Sequence, residues 1–164
     1  MRYCSVLAMF CIFVCCSQAS KDRKSLDLCS LAANPLDHNK QVVRVTAFLL
    51  SGPEQEALYD PKCRGGDPLV AVELKSSAKG NVEGLRQIIA KRHYAFVTVE
   101  GELHGPEPVE VDPQLPENIR ERFKGSVKHY GHSEAFEMMI QIENILDAQD
   151  VDDGLLKTGA APNR

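Results

Sequence analysis

"HYAFVTVEGELHGPEPVEV", residues 93–111, carries the reading on which the fold turns. Its first half alternates, so that Ala95, Val97, Val99 and Leu103 share one face of an extended chain. Gly101 falls in that inward series, where a side chain is expected. A glycine there marks a strand that bulges or bends as a sheet curls, not one that runs flat. The exit is rich in proline and glutamate and reads as a long loop.

Working upstream, "GNVEGLRQIIAKRH" (80–93) switches to helical spacing. Val82, Leu85, Ile88 and Ile89 form one stripe, Asn81 is placed to cap the start, and Lys91 and Arg92 suit the negative end of the helix dipole. "LVAVELK" (69–75) predicts a strand with Val70, Val72 and Leu74 inward. "EALYDPKCRGGDP" (56–68) predicts a short extended piece that runs into turns. "QVVRVTAFLLSG" (41–52) is a long strand with Val43, Val45, Ala47 and Leu49 on one face and Val42, Arg44, Thr46 and Phe48 on the other. Before it, Ser25 caps a short helix that Asn34-Pro35 stops, with Leu28, Leu31 and Ala32 on one side and Cys29 beside them.

Downstream, a proline-rich excursion runs to about Ser133 with a short helix near Glu117–Phe123. "EAFEMMIQIENILD" (134–147) is the last strand, with Met138, Ile140 and Ile142 on one face. Residues 148–164 read as a disordered tail. Strand, short strand, strand, helix, strand, strand is the order of an OB-fold. The chain is therefore expected to be mainly β. Its architecture is a five-stranded OB-type Greek-key barrel, with a helix between strands 3 and 4 and a short N-terminal helix. Residues 20–147 form the one domain. The competing architecture is an α+β sandwich in which Gly101 marks only a strand end.

The start, "MRYCSVLAMFCIFVCCSQAS", has one positive charge, an apolar run and small residues at Ser17 and Ala19, the pattern of a signal peptide over residues 1–19. A lipid anchor at Cys15 or Cys16 is the alternative, and neither has the upstream residues such a site expects. The expected location is thus the periplasm or outside the cell. Of six cysteines only Cys29 and Cys63 remain after cleavage, and an oxidising compartment permits one disulfide between them. Closing that loop stabilises the fold by roughly 3–4 kcal/mol. Two unpaired thiols, or a dimer linked through Cys63, are the other arrangements. No second apolar stretch approaches membrane length, so no stable insertion is expected once the signal has gone.

"VVRVTAFLLSG", "ALYDPKC", "LVAVEL" and "YAFVTVEGEL", with a terminal "FEMMIQIENI", resemble uncharacterised exported bacterial OB-fold proteins of the tRNA-anticodon-domain-like group, over Leu26 to Leu146. The resemblance implies a fold and not an activity. It also implies that the first-helix cysteine sits near the one after "LYDP", in agreement with a Cys29–Cys63 bridge.

With 19 basic and 23 acidic residues, the chain has no long-range attraction for phosphate. Arg44, Thr46, Phe48, Tyr94, Phe96 and Thr98 offer stacking and donor groups. Glu73, Glu100 and Glu102 share their surface, however, and Glu54, Glu56, Glu107 and Glu110 acidify the loops. Nucleic acid is therefore not the expected partner, and the aromatics are better placed packing under the first helix and the long loop. His129, His132 and Glu134, with His104 further off, lack the helical spacing of a zinc motif, so no metal ligand is assigned. No nucleophile elbow or paired carboxylates appear, and Glu73 reads as an outward surface residue. No cofactor and no enzymatic activity are expected, a hydrolase being the least supported reading.

The candidate ligand-binding residues are Tyr59, Asp60 and Arg64, which group stacking, accepting and donating chemistry in "LYDPKCRGG". That stretch is expected in the first inter-strand loop, beside the loop after strand 4. A turn that merely holds Cys63 is the plainer account of the same residues. The function that follows is a protein- or small-ligand-binding module of the cell envelope, with an oligonucleotide- or oligosaccharide-binding barrel as the alternative.

Overall fold

A computed structural model describes residues 25–53, 56–63, 70–131 and 134–158. The signal-peptide reading of residues 1–19 lies outside that range, as do Arg64, His132, Ser133 and residues 159–164. The elements in chain order are α1 (Leu28–Ala33), the 3-10 turn Pro35–His38, β1 (Val42–Ser51), β2 (Glu56–Tyr59), β3 (Val70–Gly80), α2 (Val82–Arg92), β4 (Tyr94–His104), α3 (Glu117–Phe123), β5 (Met139–Gln149) and α4 (Asp153–Thr158).

The period-2 runs become strands because each has one face to bury. Val43, Val45, Ala47 and Leu49 of β1 and Ala95, Val97, Val99 and Leu103 of β4 are all buried. Neighbouring strands close into a ring in the order β1-β2-β3-β5-β4. Every pairing is antiparallel except that of β3 with β5. A mainly β chain with five strands in a closed barrel and a helix between β3 and β4 is thus what forms. Two register shifts in the β4–β5 ladder, at Thr98/Val99 and Glu100/Gly101, bend the strand where the glycine lies.

The helices seal this barrel. Leu85 of α2 is buried in the core cluster, and Val82, Ile88 and Ile89 pack against it half-buried. Leu28 and Leu31 of α1 join the same cluster. The cap of α1 is Asp27, whose Oδ2 accepts from Ser30 N–H and Oγ, whereas the expected cap Ser25 pairs its hydroxyl with Thr46. Asn81 makes no side-chain cap on α2 either. Its backbone N–H donates to the Ile145 carbonyl, which ties the helix start to β5.

Three boundaries differ from the sequence reading, the first being that β5 starts at Met139 and not at Glu134. β3 runs on past Lys75 to Gly80 through an irregularity between Leu74 and Lys79, where serines carry no hydrophobic signal. The ordered chain also continues beyond Asp147. β5 reaches Gln149, Val151 is buried, and α4 follows.

Candidate functional site

β2 pairs with β1 through Phe48↔Tyr59 and ends there. Asp60 then turns the chain, since its Oδ1 accepts the Lys62 N–H at 2.9 Å and its carbonyl accepts the Cys63 N–H at 3.0 Å. Cys63, buried, is bonded to Cys29 of α1, with their Cα atoms 5.1 Å apart. The bridge therefore fixes the far side of the turn to the N-terminal helix. Because β2 is a strand in its own right, this stretch is the second connection, between β2 and β3, and not the first. The first starts at Gly52, directly after β1. Tyr59 and Asp60 come together half-buried at the turn, and Arg64 lies outside the described residues.

The other long connection meets this end of the barrel. The register aligns Ala71 at the start of β3 with Met139 at the start of β5, and Met139 with His104 at the end of β4. The 105–138 excursion leaves and returns there. Tyr130 and Phe136 pack with Ala57 and Ala71 in a second cluster, on the opposite face of β2 and β3 from core residues Leu58 and Val70. Sequence reading missed this contact, since Tyr130 belongs to no periodic run, and Phe136 falls in step with Met138, Ile140 and Ile142 yet packs in the second cluster.

The excursion is held polar end to polar end. Lys40 Nζ meets Glu107 Oε1 at 2.7 Å, and that ammonium holds the Glu107 carboxyl below its ordinary value, against the opposing effect of burial. Lys128 lies 5.1 Å from the Tyr130 ring centroid. Burial pushes the Tyr130 phenol up, and its hydroxyl reaches towards the Gly105 carbonyl. His104 lies beside Tyr130, with ring centroids 6.4 Å apart, whereas His129 and Glu134 line a groove with Phe123 and Lys128 further along the excursion.

On the outward face of β1, β4 and β5 the proposed stacking groups are already engaged. Phe48, 1% exposed, meets Phe96 edge-on at 5.1 Å, and the Tyr94 hydroxyl bonds Asp153 of α4. The two phenylalanines thus pack on one another, and Tyr94 is tied to the start of the C-terminal helix. Arg44 donates to Glu100 Oε1 from Nε at 3.0 Å and Nη2 at 2.8 Å, and Asn144 approaches the other oxygen at 3.5 Å. Ser25, Thr46 and Thr98 hydroxyls form a row beside that pair. A groove of about 480 Å³ opens here, lined by Arg44, Thr98, Leu146, Asp147 and Gln149. Glu73 is exposed and accepts from Gln141, in keeping with a surface role.

Fold and site together define a disulfide-bonded, mainly β barrel with a braced turn and a strapped outer face. No protein-family model, curated protein or solved structure matches the chain. Among the described residues no helix is long and apolar enough to cross a membrane.

Proposed function

We propose that the chain is an exported, non-enzymatic binding module of the OB type, working in the periplasm or outside the cell on a protein or small ligand. The order β1-β2-β3-β5-β4, its parallel β3–β5 closure and α2 between β3 and β4 support the OB assignment and the likeness to the tRNA-anticodon-domain-like group. The observation that carries the functional reading is the turn at Tyr59–Cys63. It is fixed by Asp60 on one side and by the Cys29–Cys63 bridge on the other, at the barrel end where the 105–138 excursion also sits. A loop ordered in advance loses little entropy on binding. The test is purification of the oxidised protein from its native source, followed by cross-linking from the turn. A companion molecule should be retained by the wild type and lost, with unchanged melting, in Tyr59→Ala. Retention that ignores Tyr59 would discard this site.

A second reading, a saccharide-binding barrel, has its own support in the groove on β1, β4 and β5. Asp147, Gln149 and Thr98 supply acceptors and donors for hydroxyl groups, Leu146 gives an apolar floor, and Glu100 cancels the charge of Arg44. That cancellation disfavours phosphate. Tyr130 and Phe136 also cover the β2–β3 face on which OB barrels take oligonucleotides. Calorimetric titration with cell-wall oligosaccharides should give heat that Asp147→Ala removes, and a flat titration of the wild type counts against it.

A further inference from the structure

We propose that Cys29, Asp60 and Cys63 form a redox-gated site for a thiophilic divalent cation of the zinc type, closed in the disulfide form and opened by a dithiol reductant. The Sγ atoms of the two cysteines and a carboxylate oxygen of Asp60 all lie within 4.8 Å of one another. Two thiolates and one carboxylate are a donor set that zinc accepts, with water in the fourth place. Tetrahedral bonds of about 2.3 Å to sulfur and 2.0 Å to oxygen require sulfurs about 3.8 Å apart and sulfur–oxygen separations of about 3.5 Å. Once the sulfur–sulfur bond is cut, both targets lie within the span that the three groups already occupy. The Cα separation of 5.1 Å lets the side chains open without moving α1 away from the turn.

Asp60 is prepared for this role by the turn itself. One carboxylate oxygen, Oδ1, is held by the Lys62 N–H at 2.9 Å, which orients the group and leaves the carboxylate further lone pairs for the ion. Cys63 is buried, and Cys29 and Asp60 are half-buried, so the site is shielded on the protein side with an open edge. In the oxidised chain neither sulfur carries the charge that a ligand needs, and Asp60 alone holds nothing.

The steps balance. A dithiol gives two electrons and two protons to the Cys29–Cys63 bond and becomes a disulfide, leaving two thiols in the protein. The cation then displaces both thiol protons and sits between two thiolates and the Asp60 carboxylate. Below the ordinary thiol pKa of about 8.5, release of two protons raises affinity by up to about 100-fold per pH unit. An oxidant that removes the two sulfur electrons restores the bond and expels the cation. The site differs from the ligand function proposed above, which concerns the oxidised turn, so either reading can fail without the other.

Cobalt(II) is the probe, because thiolate ligation gives it an intense charge-transfer band and tetrahedral geometry a visible one. The reduced protein, with Cys4, Cys11, Cys15 and Cys16 replaced by serine so that Cys29 and Cys63 are its only thiols, should bind one equivalent with both bands, and its oxidised form none. Asp60→Asn, whose amide oxygen can still accept from Lys62, should bind at least tenfold more weakly, and Cys29→Ser should lose the charge-transfer band. Affinity should climb steeply between pH 6 and pH 8. Absence of the bands in the reduced chain overturns the proposal, as does binding to the oxidised chain. Circular dichroism of the reduced chain is followed in parallel. If reduction unfolds the barrel, cobalt binds the loose thiols without regard to Asp60, and equal affinity in Asp60→Asn overturns the proposal as well.

Discussion

At Gly101 the backbone of β4 passes so close to β5 that a Cβ would lie 2.8 Å from the Gln141 carbonyl carbon and 2.9 Å from Ile140 Cγ2. The nearest obstacle is backbone, which cannot swing aside. Gly101→Ala is therefore expected to cost about 1–3 kcal/mol in a urea titration, the range of overpacked sites. Arg44 and Glu100 make the opposite kind of demand. Their side chains are 19% and 9% exposed, and removing the guanidinium strands a carboxylate away from water. Arg44→Ala should cost about 3–5 kcal/mol, whereas replacing both partners by leucine should recover much of the loss. Glu107 predicts a dependence on acid. Its carboxyl is held below the ordinary 4.5 by Lys40, so the unfolded chain takes up the proton first. The stabilisation is complete above that ordinary value and disappears as pH falls through the depressed folded one. Denaturant midpoints of wild type and Glu107→Gln should differ by a constant amount at neutral pH and converge in acid.

Among the elements, those with a strong period were legible and those fixed by contact were not. β1 and β4 announced their inward faces because every second residue is apolar, and α2 did so through its stripe. The pairing of Cys29 with Cys63 was legible once the four cysteines of the first 19 residues were set aside, with unpaired thiols and a Cys63-linked dimer as the other arrangements. The end of α2 was legible too, from Lys91 and Arg92 in its last turn, although the left-handed cap at φ 63° falls on His93 and not on a glycine. The packing of Tyr130 and Phe136 on Ala57 and Ala71 was not, because alanines leave room there for rings that no local pattern connects to them. At the candidate site the turn chemistry of Asp60-Pro61 and the short strand before it were plain, but the stretch was taken for the first inter-strand loop, whereas it joins β2 to β3. The segment after β5 was misread for lack of hydrophobic repetition, yet Val151 is buried, Arg92 pairs with Asp150 at 3.2 Å and Tyr94 bonds Asp153. Ending the chain at Gln149 should lower stability by about 2 kcal/mol, as judged by the urea midpoint, most of it from the exposed valine partners.

The whole molecule divides unevenly in its expected resistance to opening. β4 and β5 carry core residues on both sides of their ladder, whereas α3 buries none of its residues. Amide exchange should therefore be slowest at Val97, Val99, Ile140 and Ile142, at the rate of global unfolding. Residues 115–125 should exchange at least a hundredfold faster through local opening. Equal protection across both regions would mean that the excursion is as firmly part of the core as the strands. The position of β5 between β3 and β4 has another consequence, for the moment of birth. A nascent chain leaves the ribosome at about 5–20 residues per second, and until β5 has emerged two strand edges have nothing to pair with. Such a polypeptide cannot close its ring before that keystone arrives, and an unclosed thread is the form that the proposed export would require.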